Sequence, residues 1–331
     1  MKIGTVPIFP KIGTVPIFLW ALICAISAAA QPFPSRPVKI VVPTTPGGAT
    51  DALSRSLGAR LSEVWGQPVV VENKPGATQI IGGEYVAKSA PDGYTLIVSD
   101  AATFIMNPIL HKNLPYDGLR AFTPITLLVR FPWVIAVHPS VPATNFQEFV
   151  AYARAHPGAI SYGSFGTGSS GHISVDYLKN LLGIDLVHVP YKGAGPAVTD
   201  LLSGQIQMMM VTPLLVEPHA RAGKLRLIAA ATPARIARLP ELPTVAESGA
   251  PGYEAGTWFA LAGPAGMPRE VTHTIYADVK KVLQEPAFKE RNIDKQWFEV
   301  VANPPEEFAA FLQKDYERWE RLIRLSGVKV E

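Results

Sequence analysis

Three glycine-rich turns in this chain stand directly before stretches with helical patterning, and the chemistry open to such turns is anion capture. Gly166-Thr-Gly-Ser-Ser-Gly171 follows a short apolar run and precedes a helix that opens near His172. Pro46-Gly-Gly48 precedes a helix that opens near Asp51. Tyr191-Lys-Gly-Ala-Gly-Pro196 ends on a proline suited to a first helical turn. The first N–H groups of a helix have no partner within it and sit at the positive end of its dipole. Glycine lets a ligand approach them, so each turn is a candidate site for a carboxylate or a phosphate. The plainer reading is that the glycines only make tight turns. The first turn also matches G-x-G-x-x-G, but a dinucleotide site wants an acid at the end of the next strand. Here that end is His188-Val-Pro190, with Asp185 at the strand's start, which argues against a dinucleotide.

Catalytic signatures are sparse. The chain has no G-x-S-x-G elbow and no H-E-x-x-H, and its seven histidines are dispersed without metal-ligand spacing. No metal and no cofactor are therefore expected. Ser164, His172 and Asp200 could be assembled into a triad only by folding, which keeps a secreted α/β hydrolase as the alternative class. His172 reads more simply as a helix-start residue, Asp51 as a helix cap, and Met208-Met-Met210 as core. Asp100 follows the run Thr95-Leu-Ile-Val98. It either caps a turn over 101–104 or points its carboxylate at the far end of a ligand. In the second role it would repel a second carboxylate and accept hydrogen bonds from an amine, amide or hydroxyl group.

These turns need elements to position them. Val38-Lys-Ile-Val-Val42, Pro68-Val-Val-Val71 and Tyr94-Thr-Leu-Ile-Val98 read as strands, separated by helices over 51–65 and near 82–89. The alternation resumes with a strand over 133–137, a helix over 145–156, a strand over 160–163 and a helix over 172–182. Further elements are expected over 186–189, 198–203, 206–211 and 225–231, and the chain closes on helices over 270–285 and 305–326. Strands alternating with helices predict parallel strands with right-handed crossovers. Two α/β lobes fit this order: a discontinuous lobe 1 over 31–137 plus 255–331, and a lobe 2 over 138–254. Two links, near Val137 and Glu254, would make a hinge. Ligands of open α/β sheets lie beyond the carboxyl ends of the strands, so facing lobes would place their glycine turns around one cleft.

Composition agrees. The chain has 331 residues, of which 48% are hydrophobic and 17% charged, enough apolar material for two cores. A formal charge of +3 without a dense basic run speaks against a nucleic-acid partner. Residues 1–30 have the form of a secretory signal peptide: Lys2 and Lys11 lead, an apolar run spans 17–26, and Ala28 and Ala30 precede a cleavage site after Ala30. The octapeptide at 2–9 recurs unchanged at 11–18, a duplication within the leader. The only cysteine, Cys24, leaves with it, so the exported chain has neither a disulfide nor a thiolate. Export with removal of the leader is the expectation.

From Phe33 onward the chain resembles the Bug-type solute receptors of tripartite tricarboxylate transporters. The resemblance rests on Val42-Pro43 and Pro46-Gly-Gly48 with Thr50-Asp51, on Val69-Val-Val-Glu-Asn-Lys-Pro-Gly-Ala77, and on Ala90-Pro-Asp-Gly-Tyr-Thr95. It extends through Leu114-Pro-Tyr-Asp117, Gly168-Ser-Ser-Gly-His172 and Val187-His-Val-Pro-Tyr-Lys-Gly193 with Thr199-Asp-Leu-Leu202. It ends on Leu242-Pro-Thr-Val-Ala-Glu-Ser-Gly249 with Pro251-Gly-Tyr253. It implies a two-lobed periplasmic-binding-protein fold, the type II Venus flytrap. Loops of both lobes and ordered water would grip one carboxylate of a small organic acid, without catalysis, for an inner-membrane tripartite transporter. The contacts implied in lobe 1 are Thr45, Pro46, Gly47, Gly48, Thr78, Asp100 and Ala102. Those in lobe 2 are Ser164, Phe165, Gly166, Thr167, Gly168, Ser170, His172, Ala194, Gly195 and Thr212. Three departures bear on ligand identity. Gln207 and Val211 stand where the family usually reads Gly-Gln-Val-Asp with a further Asp, Thr78-Gln-Ile80 is bulkier than the usual glycine-rich stretch, and Asp100 is unusual.

Overall fold

The computed structural model describes Met1 and residues 33–328, so the leader and its duplicated octapeptide lie outside the described residues. The first half of the chain alternates as the patterning predicts. Strand β1 (Val38–Val42), helix α1 (Ala49–Trp65), β2 (Val69–Asn73), α2 (Ile80–Ala87) and β3 (Thr95–Ser99) form two parallel units, with Val38 opposite Val69 and Lys39 opposite Thr95. After a π-helical turn over Ala102–Met106 and the short α3 (Asn107–Leu110), the chain runs into β4 (Phe122–Pro132). Across Trp133 it enters a second sheet.

That second sheet is built from β5 (Val134–Val137), β6 (Ser161–Ser164), β7 (Val187–Pro190), β8 (Met208–Val211) and β9 (Arg226–Ala230). Between them lie α4 (Phe146–Ala155), α5 (Ser170–Leu182), α6 (Ala194–Ser203) and α7 (Pro213–Arg221). The chain then returns along β10 (Gly256–Pro264) and finishes with α8 (Arg269–Gln284), α9 (Pro286–Asn292), β11 (Glu299–Val300) and α10 (Pro305–Ser326). The first sheet has the order β11-β4-β10-β3-β1-β2 and the second β7-β6-β8-β5-β9.

Two features differ from the sequence reading. Val134–Val137 pairs with β8 and β9, so the chain changes sheets at Trp133 rather than near Val137. The strands β4 and β10, which have no counterpart in the sequence reading, form the antiparallel middle of the first sheet, and β10 also lies antiparallel to β3. Ile125, Leu127, Leu128 and Val129 are fully buried, so β4 lacks the alternation that marks a half-buried strand. Its partner β10 is rich in small residues because its neighbours press close: a Cβ on Gly263 would meet the Met267 sulfur at 2.0 Å.

Packing ties the two sheets together. Ala231 N–H donates to the Trp133 carbonyl at 2.8 Å and Ala255 N–H to the Ala231 carbonyl at 2.7 Å, so the two passages between sheets are bonded side by side. Helix α10 buries Phe308, Leu312, Trp319, Leu322 and Ile323, the spacing of one helical face. Asp315 on that face is buried because it accepts from Trp258 Nε1 at 3.0 Å and from Arg318 Nε at 2.7 Å. The same helix packs on α5: Asn180 Nδ2 donates to the Leu325 carbonyl at 2.7 Å, and Ile173 joins the cluster around Phe104, Trp258 and Trp319. Met208, Met209 and Met210 are buried.

Candidate functional site

Every candidate contact follows the carboxyl end of a parallel strand. Thr45, Pro46, Gly47 and Gly48 follow β1, Thr78 follows β2, and Asp100 and Ala102 follow β3. In the second sheet, Ser164 ends β6 and Phe165, Gly166, Thr167, Gly168, Ser170 and His172 come after it, while Ala194 and Gly195 follow β7 and Thr212 follows β8. Because β1, β2 and β3 are mutually parallel, as are β6, β7 and β8, each set gathers along one edge of its own sheet.

The turn after β1 is exposed at Thr45, Pro46, Gly47 and Gly48, and a Cβ on Gly47 would meet nothing within 4 Å. Asp51 is spent inside the fold. It accepts from Gly47 N–H at 2.9 Å, from Arg55 Nε at 3.0 Å and from Asn73 Nδ2 at 2.9 Å. Burial works to raise its pKa, but those three hydrogen bonds outweigh it and hold the carboxyl below its usual value. The N–H groups of Ala49 and Thr50 belong to the first turn of α1 and have no intrahelical partner. Among the described residues the buried hydroxyl of Thr44 has no hydrogen-bond partner.

The stretch after β2 carries three successive non-glycine residues in the left-handed region, Ala77, Thr78 and Gln79, with φ of 44°, 51° and 76°. Side chains elsewhere hold it there. Asn107 Nδ2 donates to the Thr78 carbonyl at 2.8 Å, while Ser99 Oγ and Thr103 Oγ1 reach Gln79 Oε1 at 2.7 and 2.8 Å. Asp100 accepts from Ala102 N–H at 2.9 Å, so it does cap the turn that follows, and from Gln79 Nε2 at 3.2 Å. Burial raises its pKa against these two bonds.

In the second lobe the glycine turn is braced by a stacked imidazole pair, His172 buried and His188 half-buried. Ser169 is the N-cap of α5 and its Oγ accepts from His172 N–H at 3.3 Å. His172 accepts from Gly168 N–H at Nδ1, 3.0 Å, and its Nε2 lies 3.0 Å from Asp176. Its ring stacks on His188 with centroids 3.8 Å apart, and His188 Nε2 meets Ser164 Oγ at 2.6 Å. Gly166 N–H donates in turn to Ser164 Oγ at 3.2 Å. Asp176 also accepts from Tyr162 OH at 2.7 Å and pairs with Lys179 at 3.3 Å. Burial opposes its ionisation, yet His172, Tyr162 and Lys179 prevail and bring its pKa to about 2.

This geometry sorts the donors. Gly166 and Gly168 spend their N–H groups on Ser164 and His172, and Ser169 N–H goes to the Gly166 carbonyl. Among the described residues the N–H groups of Thr167, of Ser170 and Gly171 in the first turn of α5, and of Ala194 and Gly195 in the first turn of α6 remain. Pro196 completes that first turn. Thr212 is the N-cap of α7 without a capping bond, and among the described residues its buried hydroxyl has no partner.

The triad drawn from the sequence is not assembled, because Ser164 meets His188 rather than His172 and Asp200 accepts from Tyr191 OH at 2.7 Å. The sequence reading missed His188, Asp176 and Gln79 as positioning groups. Only Gln79 left a signal, as bulk in a stretch expected to be glycine-rich. Among the described residues no three or more His, Cys, Asp or Glu side chains are grouped to hold a metal ion.

Two lobes joined by paired crossings, each gathering unspent backbone donors at its strand ends, define a two-lobed solute-binding protein. The match to the family model described as "Tripartite tricarboxylate transporter family receptor" spans residues 53–328, and the chain belongs to that family. Similar solved structures include three at 31–34% identity. The Rpa4515 protein of R. palustris with adipate has a TM-score of 0.81 at 33% identity, covering 90% of this chain and 99% of that one. The periplasmic binding protein BugD has 0.78 at 34%, covering 90% and 100%. MatC from Rhodopseudomonas palustris with bound malate has 0.77 at 31%, covering 88% and 100%. The family and the two-lobed fold implied by the sequence motifs are thus borne out.

Proposed function

We propose that this chain is an exported receptor that holds one carboxylate of a small organic acid between its lobes and passes the acid to a tripartite-type transporter in the membrane, without changing it chemically. The supporting observation is the set of unspent donors: backbone N–H groups at 49–50, 167, 170–171 and 194–195, and the unpartnered hydroxyls of Thr44 and Thr212. The similar structures that hold adipate and malate favour an organic acid over a phosphate ester. A hydrogen bond to a charged group contributes about 1.5–3 kcal/mol, so four would give about 6–12 kcal/mol, against about 8 kcal/mol for micromolar affinity. No arginine clamp is needed. In this reading the leader over 1–30 is removed after Ala30 and the mature receptor acts as a monomer.

Thermal unfolding with a panel of mono-, di- and tricarboxylates tests the reading. A ligand at about one hundred times its Kd stabilises the native state by about 2.7 kcal/mol, which should raise Tm by about 5 °C or more. A panel in which no acid moves Tm would sink it, and turnover of ester substrates would favour the hydrolase class instead.

A further inference from the structure

Asp100 stands at the end of β3, next to the β1 strand that leads into the Thr45–Gly48 turn. The π-helical turn that follows it and helix α5 both pack on α10, and Ile173 of α5 shares a cluster with Ala101 and Phe104. This places the end of β3 on the side of the first lobe that meets the second lobe's glycine turn.

Asp51 has Arg55 at 3.0 Å, Asp176 has Lys179 at 3.3 Å and Asp315 has Arg318 at 2.7 Å. Among the described residues Asp100 has no such cation, and its oxygens meet only neutral donors, Ala102 N–H and Gln79 Nε2. Asp200 and Asp278, on helices α6 and α8, meet only neutral donors as Asp100 does, and Asp100 differs from them in standing at a strand end. The Gln79 oxygen lies on the Ser99 and Thr103 hydroxyls and its amide N–H faces Asp100. That amide is carried on the last of three successive left-handed residues, Ala77, Thr78 and Gln79. A half-buried carboxylate met only by neutral donors, at the strand end on the side that meets the second lobe, has no counter-charge within the described fold.

We propose that Asp100, oriented by Gln79, is the subsite for a cationic amine, so that the solute is an amino carboxylate. This rests on the carboxylate-receptor reading and narrows it. A simple dicarboxylate of the same length would set its second charge against Asp100 and be rejected by repulsion and desolvation together. An ammonium donates hydrogen bonds and cancels the charge.

Titration calorimetry on the wild-type chain decides the point without any variant. The probes are matched sets with three to six carbons: the unsubstituted monocarboxylate, its 2-amino and terminal-amino derivatives, and the dicarboxylate. At least one amino acid should bind about tenfold or more tighter than the monocarboxylate and dicarboxylate of equal length, and D100N should bring the set to within about threefold of one another. A dicarboxylate that binds as tightly as its amino partner overturns the assignment while leaving the receptor reading intact. So does an amine preference that survives in a folded D100N. Absence of binding by every member overturns both.

Discussion

Acidification should test the imidazole pair under the glycine turn. His188 is pressed between the rings of Tyr162 and His172, with centroids at 5.0 and 3.8 Å. Burial, helped by the neighbouring His172, lowers its pKa from 6.5 to about 4. The full drop would correspond to about 3 kcal/mol, but solvent still reaches this ring, and screening leaves about 1–2 kcal/mol. The unfolded chain takes up the proton first, so this contribution is complete above pH 6.5 and is lost as the pH falls toward 4. Asp100 acts in the opposite sense. Its raised pKa gives stability that is present at low pH and lost as the pH rises through its folded value, so it masks part of the histidine effect. Asp176, held near 2, weakens the fold only below about pH 4. The informative quantity is therefore the difference between wild type and His188→Gln, in which the Asp100 contribution cancels. Urea denaturation at pH 7.5 and 4.5 should show the gap between the two proteins closing by about 1–2 kcal/mol at the lower pH. Parallel stability curves would refute the account, because they would mean His188 titrates alike in both states.

Thr212→Val replaces an unpartnered buried hydroxyl by a methyl group, so the unliganded protein should melt at the same temperature or slightly higher, while carboxylate affinity falls about tenfold. Calorimetry that finds unchanged affinity would remove Thr212 from the site. Ligand should also close the lobes about the bonded crossings at Trp133, Ala231 and Ala255, giving a smaller radius in small-angle scattering, and superposable curves at saturation would count against closure.

Elements with local signals were legible in the sequence. The helix expected over 305–326 spans Pro305–Ser326, because Phe308, Leu312, Trp319 and Ile323 keep one face and Gly327, with φ of 71°, ends it. Strands β4 and β10 left no such signal. The first is apolar on both faces over 127–129 and begins and ends near prolines, and the second is mostly small residues chosen by Met267 and its neighbours. Their identity as strands comes from pairing with each other across more than a hundred residues of chain, a relation that periodicity cannot carry.

The site divides along the same line. Glycine spacing announced where backbone donors gather, since it depends on the turn itself. Which donors stay free depends on side chains brought from elsewhere: His188, at the third-from-last position of the strand-forming run 186–190, fixes Ser164, and Ser164 takes Gly166 N–H. His172 takes Gly168 N–H from its own helix and is fixed in turn by Asp176, one turn further on. Two of the glycines that make the motif conspicuous thereby lose the N–H groups that made it chemically suggestive. In the proposed site, anion capture in the second lobe falls to the N–H groups of Thr167, Ser170 and Gly171, of which only Gly171 is one of the motif's glycines. The first lobe shows the converse at Asp100: a side chain that satisfies a turn cap with one oxygen keeps its charge unneutralised, so the structural role and the ligand role are compatible rather than alternatives. A cap needs only a hydrogen-bond acceptor, which Asn also supplies, whereas an amine subsite needs the charge. D100N therefore separates the two roles at one position: it keeps the acceptor that the Ala102 N–H requires and removes the charge, and because its Nδ2 then faces Gln79 Nε2, the melting temperature of the unliganded variant is read beside its ligand ranking.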